Sequence, residues 1–344
     1  MIRVWIRVDG GAGIGAGHLM RCLSVAKEAE SLGAGVAFLV TGPESASLAA
    51  PSGIGVVQVG GDPFALGSED AGRILELTNP GDAVLVDSYA VSDEFFDALA
   101  GRGLRVAYMD DRYLFSAGAL DRPRRWDVDV LVDYGFGAVG SGYGGVYAGT
   151  ATRLLLGPRY APVRRGFRGV ASVRGRDSER RVLVTSGSTN PDRSLERMVE
   201  GCLAGCDLPL DVVVGALSGF DSGAFPPDRV SVHRGVGDLA PLMVRAALAV
   251  SAAGSTLYEL SCAGVPTVAC PIVENQSGNA TGFAGTGLGI SLDSRWVASD
   301  VRAAVRRIVS DGLLRQGLSA TMMGAVDGRG AERVARALLR LERE

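Results

Sequence analysis

Residues 2–23, IRVWIRVDGGAGIGAGHLMRCL, indicate the fold of this chain. A β-branched run ends in a turn that holds five glycines, and an apolar-periodic helix then begins at His18. A strand that leads through a glycine-rich turn into a helix is typical of the βα units that build parallel sheets. Similar units recur along the chain, so we expect an α/β protein.

The predicted strands fall into two series. The first comprises 2–8, 35–40, 55–59, 83–87, 104–109 and 128–132, and the second comprises 181–185, 211–215, 229–233, 247–251 and 266–270. Amphipathic stretches predict helices at 18–32, 67–77, 92–102, 192–205, 238–246, 255–263, 276–284, 298–310 and 329–342. Between the two series, residues 157–181 are rich in Arg, Gly and Ser and lack periodicity, which is typical of a linker.

The length of 344 residues suits two domains at ~150 residues each. We predict two doubly wound, Rossmann-like domains, residues 1–165 and 166–344, that face a central cleft. In such domains ligands bind beyond the carboxyl ends of the strands, so the cleft is the expected site. The sequence leaves open whether the last helix, 329–342, packs back on the first domain.

The composition is that of a globular protein, with 47% hydrophobic and 21% charged residues and a formal net charge of −3. This balance argues against nucleic acid or an anionic membrane as a partner, because both need a strongly basic surface. The first apolar run contains arginines and no run reaches the ~18 apolar residues of a membrane helix, so we expect a cytoplasmic protein without signal peptide or anchor. The cysteines form no CxxC pair, which predicts reduced, mostly buried thiols at Cys22, Cys202, Cys206, Cys262 and Cys270.

Imidazole chemistry has two candidates, since His18 and His233 are the only histidines, and the chain has one lysine, Lys27. His18 stands at the start of the first helix, behind glycines that leave it uncovered. The positive end of a helix favours a neutral imidazole, which accepts a proton near pH 7. We therefore predict His18 as a general base; the simpler alternative is a histidine that only caps the turn. His233 lies within a strand pattern and is expected to be structural or to neighbour the cleft.

The first turn also matches a relaxed dinucleotide fingerprint, as GxGxxA over residues 11–16. A nicotinamide site further needs an acidic residue at the end of the second strand, where it holds the ribose. Here the strand at 35–40 is followed by Thr41 and Gly42, and the next acid is Glu44. The pattern therefore argues against a nicotinamide cofactor.

A second strand-to-helix turn lies in the second series, with the sequence SAAGSTLYEL at 251–260. Its amides at Gly254, Ser255 and Thr256 open a helix and form an anion seat that suits a diphosphate. Glu259 lies one turn further along the same face and can accept both hydroxyls of a ribose. The plain alternatives are N-capping by the hydroxyls and a solvated surface charge.

Two further loops are expected at the same cleft. Glu274-Asn275-Gln276 follows a buried strand and opens a helix, and such a polar triplet suits sugar hydroxyls. The loop SGSTN at 186–190 follows the first strand of the second series. Asp127-Val128-Asp129 formally matches a DxD metal motif, but it begins a strand far from the diphosphate turn, so we expect no metal there.

Six motifs together resemble one known family. In order, they are GAGHLMRCL at 15–23, DSY at 87–89, DD at 110–111, LLGPRYA at 155–161, AGSTLYE at 253–259 and ENQ at 274–276. The same order is found in the UDP-sugar hydrolases of pseudaminic acid biosynthesis, which are related to the peptidoglycan N-acetylglucosaminyl transferase. The resemblance covers nearly the whole chain and implies the two-domain GT-B fold.

The resemblance implies a UDP-sugar as the substrate, with UDP on the second domain and no metal or other cofactor. The diphosphate would lie at Gly254, Ser255 and Thr256. Glu259 would hold the ribose, and the uracil would lie against the backbone at Val236.

The resemblance also assigns the catalytic base and the sugar contacts to the first domain and the loops that face it. His18 would activate water or another acceptor for attack at the anomeric carbon. The sugar would contact Tyr89, Asn275 and Gln276. The remaining predicted substrate-binding residues are Gly15, Gly17, Arg21, Ser186 and Gly187.

Three positions depart from that family's pattern: Ser188-Thr189 replaces an aspartate, Asp133 lies near an expected asparagine, and Ser88 replaces a histidine. These changes affect the sugar or acceptor side and leave the UDP side intact. The sequence therefore leaves open which sugar is bound and whether the acceptor is water or an organic nucleophile such as a nucleobase. Tyr89, Asp111 and Asp133 would line an acceptor pocket. A nucleotide-sugar binding protein without activity is a second class of function, and the oligomeric state is open.

Overall fold

The computed structural model describes residues 2–11, 13–15, 17–110, 125–173, 180–215 and 218–341. Within these residues, one sheet is built from β1 (Arg3–Val8), β2 (Gly35–Val40), β3 (Gly55–Gln58), β4 (Ala83–Asp87), β5 (Arg105–Met109), β6 (Val130–Asp133) and β7 (Arg153–Leu156). A second sheet is built from β8 (Arg181–Thr185), β9 (Leu210–Val214), β10 (Val230–Arg234), β11 (Ala246–Ala252), β12 (Thr267–Cys270) and β13 (Ile290–Ser291).

Helices connect the strands. They are α1 (Gly17–Ser31), α2 (Pro43–Ala49), α3 (Ser68–Leu75), α4 (Asp93–Leu99), α5 (Tyr143–Val146), α6 (Val170–Val173) and α7 (Ser194–Gly205), followed by α8 (Ala240–Arg245), α9 (Thr256–Ala263), α10 (Ser277–Gly285), α11 (Ala298–Ser310), α12 (Gly312–Ala325) and α13 (Gly330–Leu338). None of the helices in the described ranges is long and apolar enough to cross a membrane.

Both sheets are parallel and doubly wound. Their strand orders are β3-β2-β1-β4-β5-β6-β7 and β10-β9-β8-β11-β12-β13. The order reverses beside β1 in the first sheet and beside β8 in the second, and ligands bind outside the carboxyl ends of strands at such switch points. The turns after β1, β4, β8 and β11 therefore define the expected binding region.

The strand predictions succeed where the strands are buried on both faces. In β4, for example, all five residues of AVLVD are buried. The sequence of a strand that is buried on both faces is a nearly continuous run of apolar residues, which is easy to recognise. The edge strands β7 and β13 were not predicted as strands; β13 has only two residues, which is too few to show a pattern. Four helices, α2, α5, α6 and α12, were also not predicted. In α12 only Leu318 and Met322 are buried, so its apolar periodicity is weak.

The segment between β7 and β8 contains the predicted linker. It is not wholly irregular, because it forms short 3₁₀ turns at 158–160 and 165–167 and the helix α6. The predicted domain boundary after residue 165 lies inside this segment and stays a prediction.

The last helix, α13, packs on the first sheet's side of the molecule against α1. Arg105 at the start of β5 donates from Nε to the carbonyl of Ala337 at 2.6 Å. Gly330 begins α13 where a Cβ atom would lie 2.1 Å from the carbonyl oxygen of Ala161, so only glycine fits there. Helix α13 thus packs against the segment that follows β7 and holds it in place.

Candidate active site

A cleft of about 580 Å³ lies between the two sheets, within the usual size range of small-molecule sites. Its walls come from α1 and the turn after β4 on one side, and from the turns after β8, β10 and β11 on the other. Nine of the predicted site residues line it: Gly17, His18, Arg21, Tyr89, Gly187, Val236, Ser255, Thr256 and Glu259.

His18 is held by a buried carboxylate. Its Nδ1 lies 2.6 Å from Oδ1 of Asp87, the last residue of β4. Asp87 is 1% exposed and His18 is 8% exposed. A carboxylate at this distance accepts the Nδ1 proton and fixes both the tautomer and the orientation of the ring.

The assignment of this proton leaves Nε2 of His18 as the proton acceptor. Arg21 Nη2 also lies near Nδ1, at 3.0 Å, but a guanidinium only donates, so the carboxylate is the partner that satisfies the Nδ1 proton. Among the residues that the structure describes, none makes a hydrogen bond to Nε2. The imidazole is therefore prepared to take a proton from a molecule in the cleft.

Arg21 completes the group around Asp87. Its Nε donates to Asp87 Oδ2 at 2.6 Å, its Nη2 donates to Oδ1, and Cys22 Sγ donates to Oδ2 at 3.2 Å. Burial alone would raise the pKa of the Asp87 carboxyl, but the charges and hydrogen bonds of Arg21 and His18 hold that pKa below its usual range. Asp87 is therefore an anion that can stabilise a protonated His18.

Tyr89 lies at the exposed edge of this group. Its ring meets the His18 ring edge-on, with centroids 4.6 Å apart and planes at 78°. Tyr89 is 40% exposed, and Met20, which also lines the cleft, is 43% exposed. The base is thus bordered by an apolar surface on the side of the first sheet.

The opposite wall carries the turn that the sequence predicted as a diphosphate seat. Helix α9 begins at Thr256, and the first amides of a helix have no acceptors within the helix. Ser255 and Thr256 both line the cleft. The wall therefore offers amide donors and hydroxyls to an anion, as expected at a helix N-terminus.

Glu259 follows one turn later and is paired with Arg164, from the predicted linker. Arg164 reaches Oε1 of Glu259 from Nε at 3.0 Å and from Nη2 at 2.9 Å, and its Nη1 donates to the Gly237 carbonyl at 2.6 Å. Burial raises the pKa of the Glu259 carboxyl, Arg164 partly offsets this and Asp238 adds to it. Because both of the Arg164 contacts to Glu259 are made by Oε1, Oε2 has no partner among the described residues. Glu259 is thus a half-satisfied, half-buried acceptor rather than a solvated surface charge.

Several predicted site residues do not line the cleft. The amide of Gly15 donates to Gly11 at 2.7 Å within the first turn, and Ser186 Oγ donates to the Thr189 carbonyl at 2.7 Å. Gln276 Oε1 accepts from the Ile272 amide at 3.0 Å. Gly254 also lies outside the lining. The Asn275 side chain and Asp111 lie outside what the structure describes, so all these roles stay predictions.

Other polar groups that the sequence singled out take part in the fold. Asp129, from the DxD pattern, accepts from the Val106 amide at 2.7 Å. His233 Nε2 lies 2.8 Å from Asp211, and neither residue lines the cleft. Four of the five cysteines are buried and all are free thiols, as predicted. Within the described residues, no group of three or more His, Cys, Asp or Glu side chains is arranged to hold a metal ion.

Four residues of the site were not assigned roles from the sequence: Asp87, which is buried behind His18, and Tyr134, Arg164 and Tyr258, which line the cleft. The role of Asp87 could have been predicted from the sequence, because an acidic residue ends a continuous apolar strand beside the switch point of the sheet. Arg164 had none, because it is one of several arginines in a segment without periodicity. The two tyrosines are recognised as part of the site only from their three-dimensional contacts.

Comparisons with known proteins agree with the motifs. No family model matches the chain. The spore coat polysaccharide biosynthesis protein SpsG of Bacillus subtilis (strain 168) is 28% identical over 204 residues, which is 55% of this chain. The match spans 59% of that relative's length.

Solved structures match over nearly the whole chain. MurG of Acinetobacter baumannii has a TM-score of 0.66 at 18% identity, with 99% of this chain and 100% of that chain covered. The calicheamicin glycosyltransferase CalG4 has a TM-score of 0.63 at 19% identity, with both chains covered completely. The chain thus has the two-domain GT-B fold of the MurG-type glycosyltransferases and is similar in sequence to SpsG, which confirms the resemblance that the six motifs indicated.

Proposed function

We propose that this protein is a UDP-sugar-dependent enzyme that breaks the bond between the anomeric carbon and UDP, with His18 as the general base. The observation that carries the proposal is the placement of two different groups across one cleft. A His18–Asp87 pair lies on one wall, and a helix N-terminus followed by Glu259 lies on the other. The first group suits proton removal and the second suits a nucleoside diphosphate.

The proposed reaction is a single displacement at the anomeric carbon of the sugar. The acceptor's O–H or N–H gives its proton to Nε2 of His18, and the acceptor atom forms a bond to the anomeric carbon. The bond from that carbon to the β-phosphate oxygen breaks, and its electron pair leaves with UDP. Asp87 stabilises the imidazolium until the proton passes to solvent, and the amides of α9 stabilise the charge on UDP.

The nucleoside half of the substrate is assigned to Glu259 and Val236. Because Arg164 occupies only Oε1 of Glu259, Oε2 can accept a ribose hydroxyl while the ion pair stays in place. Arg164 would then orient the carboxylate and keep it ionised. The uracil would lie against the backbone around Val236, which lines the same part of the cleft.

We expect uridine to bind more weakly as the pH falls, because its ribose hydroxyls donate to the ionised form of Glu259. The pKa of this carboxyl is raised, so the loss of affinity should begin above the ~4.3 at which an ordinary glutamate titrates. Uridine carries no phosphate whose own titration would interfere. Calorimetry at a series of pH values measures the effect.

Two variants test the origin of this pH dependence. Glu259→Gln should remove it, and Arg164→Gln should move it to higher pH, because the cation that lowers the pKa of Glu259 is gone. A uridine affinity that does not change with pH in the unmodified protein would contradict the assignment of Glu259 to the ribose.

Two acceptors remain candidates, and one observation favours an organic one. The Tyr89 ring is exposed directly beside His18, Met20 exposes apolar surface on the cleft lining, and water as acceptor needs no such surface. The structurally similar CalG4 is a calicheamicin glycosyltransferase, which gives a parallel for transfer to a small molecule. A hydrolase of the kind that the sequence motifs resemble is the other candidate.

The test follows UDP release from a panel of UDP-sugars, with and without candidate acceptors. Release that needs no acceptor identifies a hydrolase, and release that depends on an acceptor identifies a transferase. UDP binding without turnover of any sugar would instead support a nucleotide-sugar binding protein. The most informative sugar is the one whose UDP conjugate raises the melting temperature above the value with UDP alone, since the increment isolates the sugar subsite.

A further inference from the structure

The loop that follows β6 and helix α9 of the second half meet in an aromatic cluster at the cleft. Tyr134 and Phe136 follow β6, and both rings contact Tyr258 of α9. Phe136 is stacked on Tyr258 with centroids 4.3 Å apart and planes at 5°, and Tyr134 meets the same ring edge-on at 5.2 Å. All three residues are buried, at 5% exposed or less. The cluster therefore joins the two halves of the molecule through a closely packed aromatic contact.

The second-sheet end of the cluster is tied to the diphosphate turn. The Tyr258 hydroxyl donates to Asn279 Oδ1 at 2.9 Å. Asn279 in turn donates from Nδ2 to the Ala253 carbonyl at 2.9 Å, and Ala253 is 0% exposed. Ala253 is the residue before Gly254, so the ring of Tyr258 and the turn are held together by side-chain hydrogen bonds.

The first-sheet end of the cluster is tied to the base. Arg21 donates from Nη1 to the Tyr134 hydroxyl at 2.6 Å, and its guanidinium carbon lies 5.5 Å from the centroid of the Tyr134 ring. The same guanidinium donates to Asp87, which accepts from His18. Contacts thus run without a break from the diphosphate turn to the catalytic imidazole.

The geometry points to Tyr134 and Tyr258 as positioning residues that couple the nucleotide turn to the general base. This inference rests on the proposed function. In the proposed reaction, the leaving group lies on one half of the molecule and the base on the other. An error of about 1 Å in their separation is enough to cost on the order of 10²-fold in rate. The aromatic contact fixes that separation, and the hydroxyls of the two tyrosines connect it to each site.

Each hydroxyl can be removed while its ring is kept. Tyr134→Phe removes the acceptor for Arg21, so kcat should fall about 10-fold while the Kd of UDP changes less than about twofold. Tyr258→Phe removes the donor to Asn279, so the Kd of UDP should also rise, by about threefold. Tyr143→Phe is the matched control, because the hydroxyl of this buried tyrosine donates to the Asp110 carbonyl and lies outside the chain of contacts.

A double-variant comparison separates positioning from a general loss of structure. If Tyr134 acts through Arg21 and Asp87, Tyr134→Phe should lower kcat in the unmodified protein and lower it no further in an Asp87→Asn background. Equal losses in both backgrounds would overturn the inference. An unchanged kcat in Tyr134→Phe, or an equal loss in Tyr143→Phe, would overturn it as well.

A second readout does not depend on turnover. The chain has only two histidines, so histidine-labelled protein gives one imidazole signal set each for His18 and His233, assigned with His18→Asn. Tyr134→Phe should shift the His18 signals and leave those of His233 in place, and Tyr143→Phe should shift neither. If the unmodified protein releases UDP from none of the UDP-sugars, the proposed function fails. The His18 signals would still show whether Tyr134 is coupled to the imidazole. Unshifted His18 signals in Tyr134→Phe would overturn it.

Discussion

Replacing His18 by asparagine is expected to lower kcat for UDP release by about 10²- to 10⁴-fold, the usual contribution of a general base. Asparagine keeps a polar side chain of similar reach but cannot take up a proton. The proposed nucleotide site lies at α9 and the turn after β10, away from His18, so the Kd of UDP should change less than about twofold. Steady-state kinetics and calorimetry on the same preparation measure both quantities.

His233→Asn is the matched control for this variant. His233 is also bonded to a buried aspartate, Asp211, but it lies outside the cleft lining. Its replacement should therefore leave kcat unchanged. Full activity in His18→Asn would exclude His18 as the base.

Replacing Asp87 by asparagine is expected to lower both kcat and stability. The amide cannot stabilise a protonated His18 and can present its NH₂ group to Nδ1, which favours the wrong tautomer. We expect kcat to fall by at least about 10²-fold. Arg21 has a side chain that is 10% exposed and would lose its carboxylate partner, which costs about 3–5 kcal/mol in comparable buried pairs. Thermal unfolding measures this loss, and kinetics well below the melting temperature measure kcat.

Asp211→Asn separates the two effects. Asp211 is a 1% exposed carboxylate that accepts two hydrogen bonds from Arg245, pairs with Arg181 and lies beside His233, so like Asp87 it is a buried carboxylate held by arginine and histidine. Its replacement should destabilise the fold to a similar extent and leave kcat near the unmodified value. Equal kcat losses in the two variants would assign the Asp87 effect to folding alone.

The pKa of Asp87 also predicts the acid stability of the protein. Its folded-state pKa lies below the value of about 4 in an unfolded chain, so the ionised carboxyl stabilises the fold above pH 4. That contribution is lost as the pH falls from about 4 through the folded-state pKa. Asp87→Asn should lack this part of the acid transition, which denaturant unfolding at a series of acidic pH values would reveal.

The sequence predicts those parts of the fold and site that are encoded locally. Buried parallel strands such as β4 and β9 are continuous apolar runs, and the glycine-rich turn identifies the start of α1 without reference to any distant residue. For the same reason His18 and the turn that precedes Glu259 could be named from their position between a strand and a helix.

The contacts that organise the site connect residues far apart in the chain. Asp87 is 69 residues from His18, Tyr134 is 113 residues from Arg21, and Arg164 is 95 residues from Glu259. Such pairs are brought together by the strand order of the sheets and by the packing of the two halves. A single sequence does not contain that order explicitly, so the partners of the predicted residues emerge only from the three-dimensional structure.

The central claim is that the bond between the anomeric carbon and the oxygen of the β-phosphate breaks. An isotope experiment tests this claim most directly. The reaction is run in water enriched in ¹⁸O with a UDP-sugar that the protein turns over, and the products are weighed by mass spectrometry. Attack at the anomeric carbon leaves UDP free of ¹⁸O, and a hydrolase places the label in the released sugar. Incorporation of ¹⁸O into the β-phosphate of UDP would show attack at phosphorus and contradict the account.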